Sequence, residues 1–229
     1  MKKTLIIAAA AVVMGAMLPL SVMIFKSYDR TVDVKGLCEK EVKADKVIWP
    51  ITYKVVGNDL GETLRETEAD NAVILRFLHE GGIEDSEITV SAPQISDKYA
   101  SEYGNNDRVY RYLCTGVVTV CTPEVDKVLE LQGRESTLLK SGVALASNDW
   151  ENRTQFKFEA LNDIKPRMIE DATANAREAA LKFAKDSGSS LGKIKTASQG
   201  TFSIEDRDSN TPYIKRVRVV TYVTYYLNN

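Results

Sequence analysis

The hydrophobic period of this chain switches from two to about 3.6 and back, and it does so twice. Thr31 to Val42 alternates, with Val32, Val34, Gly36 and Cys38 on one phase, and Lys46 to Val56 alternates through Val47, Trp49, Ile51, Tyr53 and Val55. Successive strand side chains point to opposite faces, so both stretches read as strands with one covered face. From Leu60 to Glu80 the positions Leu64, Ile74, Leu75 and Leu78 recur at helical spacing, and Gly81-Gly82 ends the pattern as a helix C-terminus should. Ile88 to Ile95 returns to strand, Ser96 to Asp107 is a polar loop, and Val109 to Cys121 alternates through Tyr110, Tyr112, Cys114, Val118 and Val120. Pro50 lies on the polar phase of its strand and lacks an N–H, which predicts an edge or bulged strand there.

Thr122-Pro123 then opens a short helix carrying Val125, Val128 and Leu129, because a hydroxyl caps well and proline fits the first turn. A connecting segment runs through Leu138, Leu139, Gly142 and Val143. After it the first order recurs: strand Thr154 to Glu159, helix from about Ile164 to Ser187, strand Lys193 to Ser203, strand Tyr213 to Leu227. A shift of 106 positions lays Leu75, Phe77, Gly82 and Ile88 on Leu181, Phe183, Gly188 and Ile194. The last strands need a shift of 107, since a slip of one residue would reverse their faces. The expected fold is α+β: two related β-α-β-β halves, about residues 46–121 and 152–227, with mainly antiparallel sheet, packed helices and one added N-terminal strand. On the second long helix Ile169, Ala172, Ala176, Ala179 and Phe183 form a stripe that reads as a buried, closely packed face.

Ahead of these elements, Thr4 to Phe25 holds no charged residue, and its 22 positions would span about 33 Å as a helix against a hydrocarbon core of about 30 Å. The apolar run continues past the length of a signal-peptide core, through Leu18, Leu20, Val22, Met23, Ile24 and Phe25, so an uncleaved signal anchor is expected over residues 1–26, with 27–30 as a short linker. Cleavage near Ala16, which would free a soluble periplasmic form, is the alternative. Lys2 and Lys3 put the N-terminus inside, so residues 31–229 face the outside.

Composition narrows the function classes. The chain carries a formal charge of −2, with a balance more acidic still beyond Lys2 and Lys3, and this argues against nucleic acid as a partner. Lys215, Arg216 and Arg218 cluster on the last strand and read as a solvated sheet face. Three cysteines leave at least one thiol unpaired or pairing between chains. Cys114 and Cys121 fall on opposite strand faces and cannot bridge; Cys38 with Cys114 stays open beside buried free thiols. The single histidine, His79, sits at a helix C-terminus that favours it on electrostatic grounds alone. Phosphate-binding glycine loops are absent, carboxylate pairs such as Glu66 and Asp70 have the spacing of a solvated helix face, and no Cys/His spacing suits a metal. Asn152-Arg153-Thr154 matches a glycosylation acceptor by its letters only. No catalytic, cofactor or metal residue is assigned.

A set of pieces in fixed order remains: Val34-Lys-Gly36, Ala-Asp45, Gly82-Ile83 before Ile88-Thr89-Val90, Ser141-Gly142-Val143 before Phe156-Lys-Phe158, and the alanine-studded Asp171 to Ala184 helix before Gly188 and Leu191-Gly192-Lys193-Ile194. Together they resemble the SIMPL-domain family over about Thr31 to Leu227. The resemblance implies an envelope protein without family catalytic residues. Its bacterial relatives include a periplasmic immunogenic protein and a protein linked to oxidative stress. With the long tyrosine-bearing strands, it points to a membrane-tethered protein acting through protein contacts, as a homo-oligomer or with another envelope protein. The alternative is a small-ligand module using a cleft between the two halves.

Overall fold

A computed structural model describes Gly15, Met17 and residues 30–101, 109–146 and 152–228. The expected membrane segment, residues 4–25, therefore lies outside the described residues apart from Gly15 and Met17. Among the described residues no helix is long and apolar enough to cross a membrane. The fold is α+β, built on antiparallel strand pairs, and the chain divides into two units.

The central unit comprises Val42–Ala160 and Asp206–Lys215. Its sheet has the order β3-β5-β2-β6, where β2 is Lys46–Gly57, β3 Ile88–Val90, β5 Tyr112–Thr122 and β6 Gln155–Lys157; β4, Gln94–Asp97, also pairs with β5. β2 and β5 run antiparallel from Val47 opposite Thr122 to Gly57 opposite Tyr112. Helix α1, Leu60–Glu80, packs on both strands, α2, Val125–Gly133, packs on β2, and α3, Ser136–Lys140, packs on α1. Val47, Trp49, Tyr53, Ile74, Leu78 and Val128 are buried between these layers. Asp59 caps α1 by accepting from the Glu62 N–H at 2.8 Å, and Gly82, at φ 78°, releases the chain at the other end.

Several expectations change here. The buried face of α1 is Thr63, Thr67, Ile74, Phe77 and Leu78, while Leu64 and Leu75 are half-buried. Two threonines can face the core because each hydroxyl donates back to its own chain, Thr63 to the Asp59 carbonyl at 2.7 Å and Thr67 to the Thr63 carbonyl at 2.8 Å. The strand expected over Ile88 to Ile95 is two strands. From Val90 to Gln94 is four steps, yet their partners Val118 and Thr115 are three steps apart, so an extra residue next to Pro93 breaks the ladder. Finally, β2 is an interior strand despite Pro50. β6 pairs only with Lys46–Ile48, and the chain returns to this side of β2 at residues 144–146, where Lys54 donates to the Ala144 carbonyl at 3.0 Å and Ala146 to the Thr52 carbonyl at 2.8 Å. Pro50 falls between these two partners, where no donor is needed. The same pairing means that Gln155–Lys157, the opening strand of the expected second half, joins the sheet of the first half.

The terminal unit comprises the described parts of Met1–Glu41, Leu161–Glu205 and Arg216–Asn229. Its sheet has the order β1-β9-β7, with β1 Thr31–Lys43, β7 Ser190–Gln199 and β9 Ile214–Asn228; β8, Ser203–Asp206, also pairs with β9. The single strand expected over Lys193 to Ser203 thus ends at Gln199, and β8 starts afresh at Ser203. Helix α4, Leu161–Asp186, covers one face, with Val34, Ala176, Ala180, Val223 and Tyr225 as the core.

The alanine stripe exists but is rotated from the expected one. Met168, Ala172, Ala176, Ala180 and Ala184 are buried, Ile169 and Ala179 are half-buried, and Phe183 is 61 % exposed. The reason is Gly36 on β1: a Cβ there would overlap the Ala172 carbonyl oxygen and stand 2.8 Å from the Ala176 Cβ. Strand and helix backbones meet with no room for a side chain between them. We expect Gly36→Ala and Ala176→Leu each to cost about 1–3 kcal/mol by overpacking, whereas Glu178→Ala, on the exposed face, costs less than about 0.5 kcal/mol. Urea titration of the three variants checks this; equal, small effects would mean that the contact is not close.

Candidate functional site

The gap beside Pro50 opens into a cleft of about 360 Å³ within the central unit, lined by Pro50, Thr52, Glu135, Leu145, Arg153 and Thr154 among others. Strict alternation would expose Thr52, yet Ile51, Thr52 and Tyr53 are buried in succession at the point where residues 144–146 pair edge-on with β2. Thr52 is only 5 % exposed, and among the described residues its hydroxyl has no hydrogen-bond partner. A buried polar group without a partner costs about 1–3 kcal/mol, so such an atom in a cleft wall marks a place where water or a ligand is favoured.

Across the cleft, Glu135 holds the N-cap position of α3 without its carboxylate capping the helix. Burial pushes the Glu135 carboxyl above its usual value, and the neighbouring Trp49 side chain offsets part of the rise. Thr154 at the far wall accepts from the Gln132 side-chain amide at 3.0 Å.

A raised carboxyl pKa makes the protonated form the better folded one. The stability it contributes is fully present below the ordinary glutamate value of 4.5 and is lost as pH rises through the folded value. Glu135→Gln keeps the size and polarity of the side chain and abolishes the titration. We expect the variant to match the parent in urea midpoint at low pH and to become the more stable of the two toward neutrality. A difference independent of pH would contradict the assignment.

The residues that sequence reasoning singled out are dispersed. His79 bonds Asp85 at 2.8 Å on the surface, and among the described residues no group of three or more His, Cys, Asp or Glu side chains is placed to hold a metal ion. Cys38 is half-buried, Cys114 buried and Cys121 exposed, all as free thiols; burial, followed by Asp171, pushes the Cys38 thiol up. The basic cluster is divided by the strand period: Arg216 and Arg218 are exposed, Arg218 pairing with Glu39 at 3.1 Å, while Lys215 turns inward to Asp206. Asn152 and Arg153 contribute to the cleft wall. The cleft itself gave no sequence signal, since Thr52 looks like any polar-phase strand residue.

The second surface of interest is the uncovered face of the terminal unit's sheet. Asp33, Lys35, Leu37 and Glu39 are exposed along β1, and Tyr222 is exposed and Tyr226 half-buried along β9. Leu37 is 41 % and Tyr222 44 % exposed. Lys35 stands 5.2 Å from the Tyr222 ring centroid and Lys195 5.6 Å from that of Tyr226, both within cation–π range.

The comparisons bear on what these surfaces belong to. A family model, SIMPL, described as a protein of unknown function (DUF541), matches residues 32–223, and a search of curated proteins finds no match. The matched span runs from β1 into β9 and includes the features that the structure accounts for physically. Gly36 admits α4 to the sheet. The Asp45 carboxylate accepts from the backbone N–H groups of Glu159 at 2.8 Å and Ala160 at 2.7 Å. Gly188, at φ 67°, ends the alanine helix. With most of the chain covered, from the first strand of the terminal unit's sheet to the last, this protein belongs to the SIMPL family.

Proposed function

We propose that this chain is a non-enzymatic envelope protein, tethered to a membrane through residues 4–25, that works through protein contacts as a homo-oligomer. The observation that carries the reading is the uncovered sheet face of the terminal unit. One side of that sheet is sealed by α4 and its alanines, and the other offers Leu37 and Tyr222 with both signs of charge beside them, Lys35 and Lys195 against Asp33 and Glu39. Aromatic and aliphatic anchors ringed by mixed charge suit a self-complementary contact, in which the same patch serves both copies.

The tether and the contact are tested separately. Light scattering on the detergent-solubilised chain should give an oligomer that Leu37→Asp and Tyr222→Asp each convert to monomer without changing the circular dichroism. A monomeric parent at tens of micromolar would overturn the contact reading. For the tether, N-terminal sequencing of membrane-extracted protein should find Phe25 and the residues before it retained, and a start between Ala11 and Ser27 would replace the anchor with a cleaved leader.

A second reading, a module that binds a small ligand, is favoured by the Thr52 hydroxyl, buried without a partner in the wall of the Pro50 cleft. This cleft lies wholly within the central unit.

A further inference from the structure

Lys215 is 7 % exposed, an unusual state for an ammonium group. It lines a second cleft, of about 480 Å³, whose wall also includes Arg153, Lys157, Asp206 and Pro212. This cleft shares Arg153 and Thr154 with the one beside Pro50. An ammonium has three N–H donors, and among the described residues the partner of Lys215 is the Asp206 carboxylate alone. Asp206 is itself half exposed. Among the described residues the cleft is walled by Lys215, Lys157 and Arg153 together with Asp206, and its least solvated cation has a single carboxylate partner.

The wall is held in place by other bonds. The Tyr213 carbonyl accepts from the Ala44 N–H at 2.8 Å, and the Tyr213 ring meets Phe156 edge-on at 6.0 Å. Between β8 and β9, Asp208 accepts from the Asn210 N–H at 2.9 Å, the Thr211 N–H at 2.8 Å and the Arg207 guanidinium at 3.0 Å. These bonds, with the Thr211 hydroxyl bond first among them, hold its carboxyl well below the usual range. Lys215 is therefore presented by a braced turn and a packed strand, which lowers the ordering cost of binding.

We propose that the cleft walled by Lys215, Lys157 and Arg153 is a binding site for the oxyanion group, carboxylate or phosphate, of a small molecule. An oxyanion supplies further acceptors to Lys215, and a partly desolvated ammonium gains more from it than a surface lysine does. The proposal takes up the ligand-binding reading at the neighbouring cleft and stands whether or not the chain self-associates.

The test is isothermal titration of the full detergent-solubilised chain with inorganic phosphate and, separately, with succinate, at fixed ionic strength set by chloride. Saturable binding of either anion is expected, and the better of the two names the oxyanion. Lys157→Gln, at an exposed position, and Arg153→Gln should each weaken it at least about fivefold, and raising the chloride concentration should weaken it further. Lys215→Met should abolish binding; if that variant does not fold, Lys157→Gln carries the test. No saturable heat with either anion, or undiminished affinity in the Lys157→Gln, Arg153→Gln double variant, would overturn the proposal and leave Lys215 as the structural partner of Asp206.

Discussion

The antiparallel ladder between β2 and β5 is the constraint on which the central unit depends. Its register sets Tyr53 opposite Gly116, and the Tyr53 ring fills the space a Cβ at 116 would need. The phenol hydroxyl then reaches the Thr67 carbonyl at 3.1 Å, tying α1 to the sheet through a bond that is itself buried. Burial pushes that phenol's pKa well above its usual value, so the hydroxyl remains a donor throughout the working pH range. Earlier on the same strand phase, Trp49 is buried in the same core. One strand thus sets the place of the long helix by a tyrosine, and slipping the ladder by one residue would turn both rings out of the core.

The terminal unit solves the same problem, a helix on a sheet, with the opposite chemistry. No large side chain mediates between α4 and β1; Gly36, Ala172 and Ala176 bring the backbones together directly. Close-packed backbones bury little area per residue, and the contact is correspondingly intolerant of added atoms. A helix face spent on alanine also leaves the larger side chains elsewhere. Phe183 and Leu181 are exposed on α4, and Leu37 and Tyr222 on the open sheet face.

The clefts of the central unit follow from where strand pairing stops. β6 is short, the chain rejoins β2 only at Thr52 and Lys54, and Pro50 sits where neither segment can bond. The seam leaves Thr52 covered but unpartnered on one side of Arg153 and Thr154, and Lys215 covered but under-partnered on the other. Polar groups in such positions oppose folding unless something completes them, which is why these two stand out among many charged and polar residues.

Local periodicity by itself determines the type of the long elements. β2 at Lys46, α1 at Leu60–Glu80 and β9 near Tyr213 to Leu227 follow from alternation, helical spacing and glycine stops, because these are properties of a few adjacent residues. The family, too, is legible in short motifs such as the alanine helix ahead of Gly188. What tertiary structure alone decided was which faces are covered by what. That Thr63 and Thr67 face inward while Leu64 does not, that Pro50 lies in an interior strand, that Gln155–Lys157 joins β2, and that Lys215 parts from Arg216 and Arg218 all depend on the path of another segment of the chain. Burial is a relation between distant parts of the chain, so no window of neighbouring residues contains it.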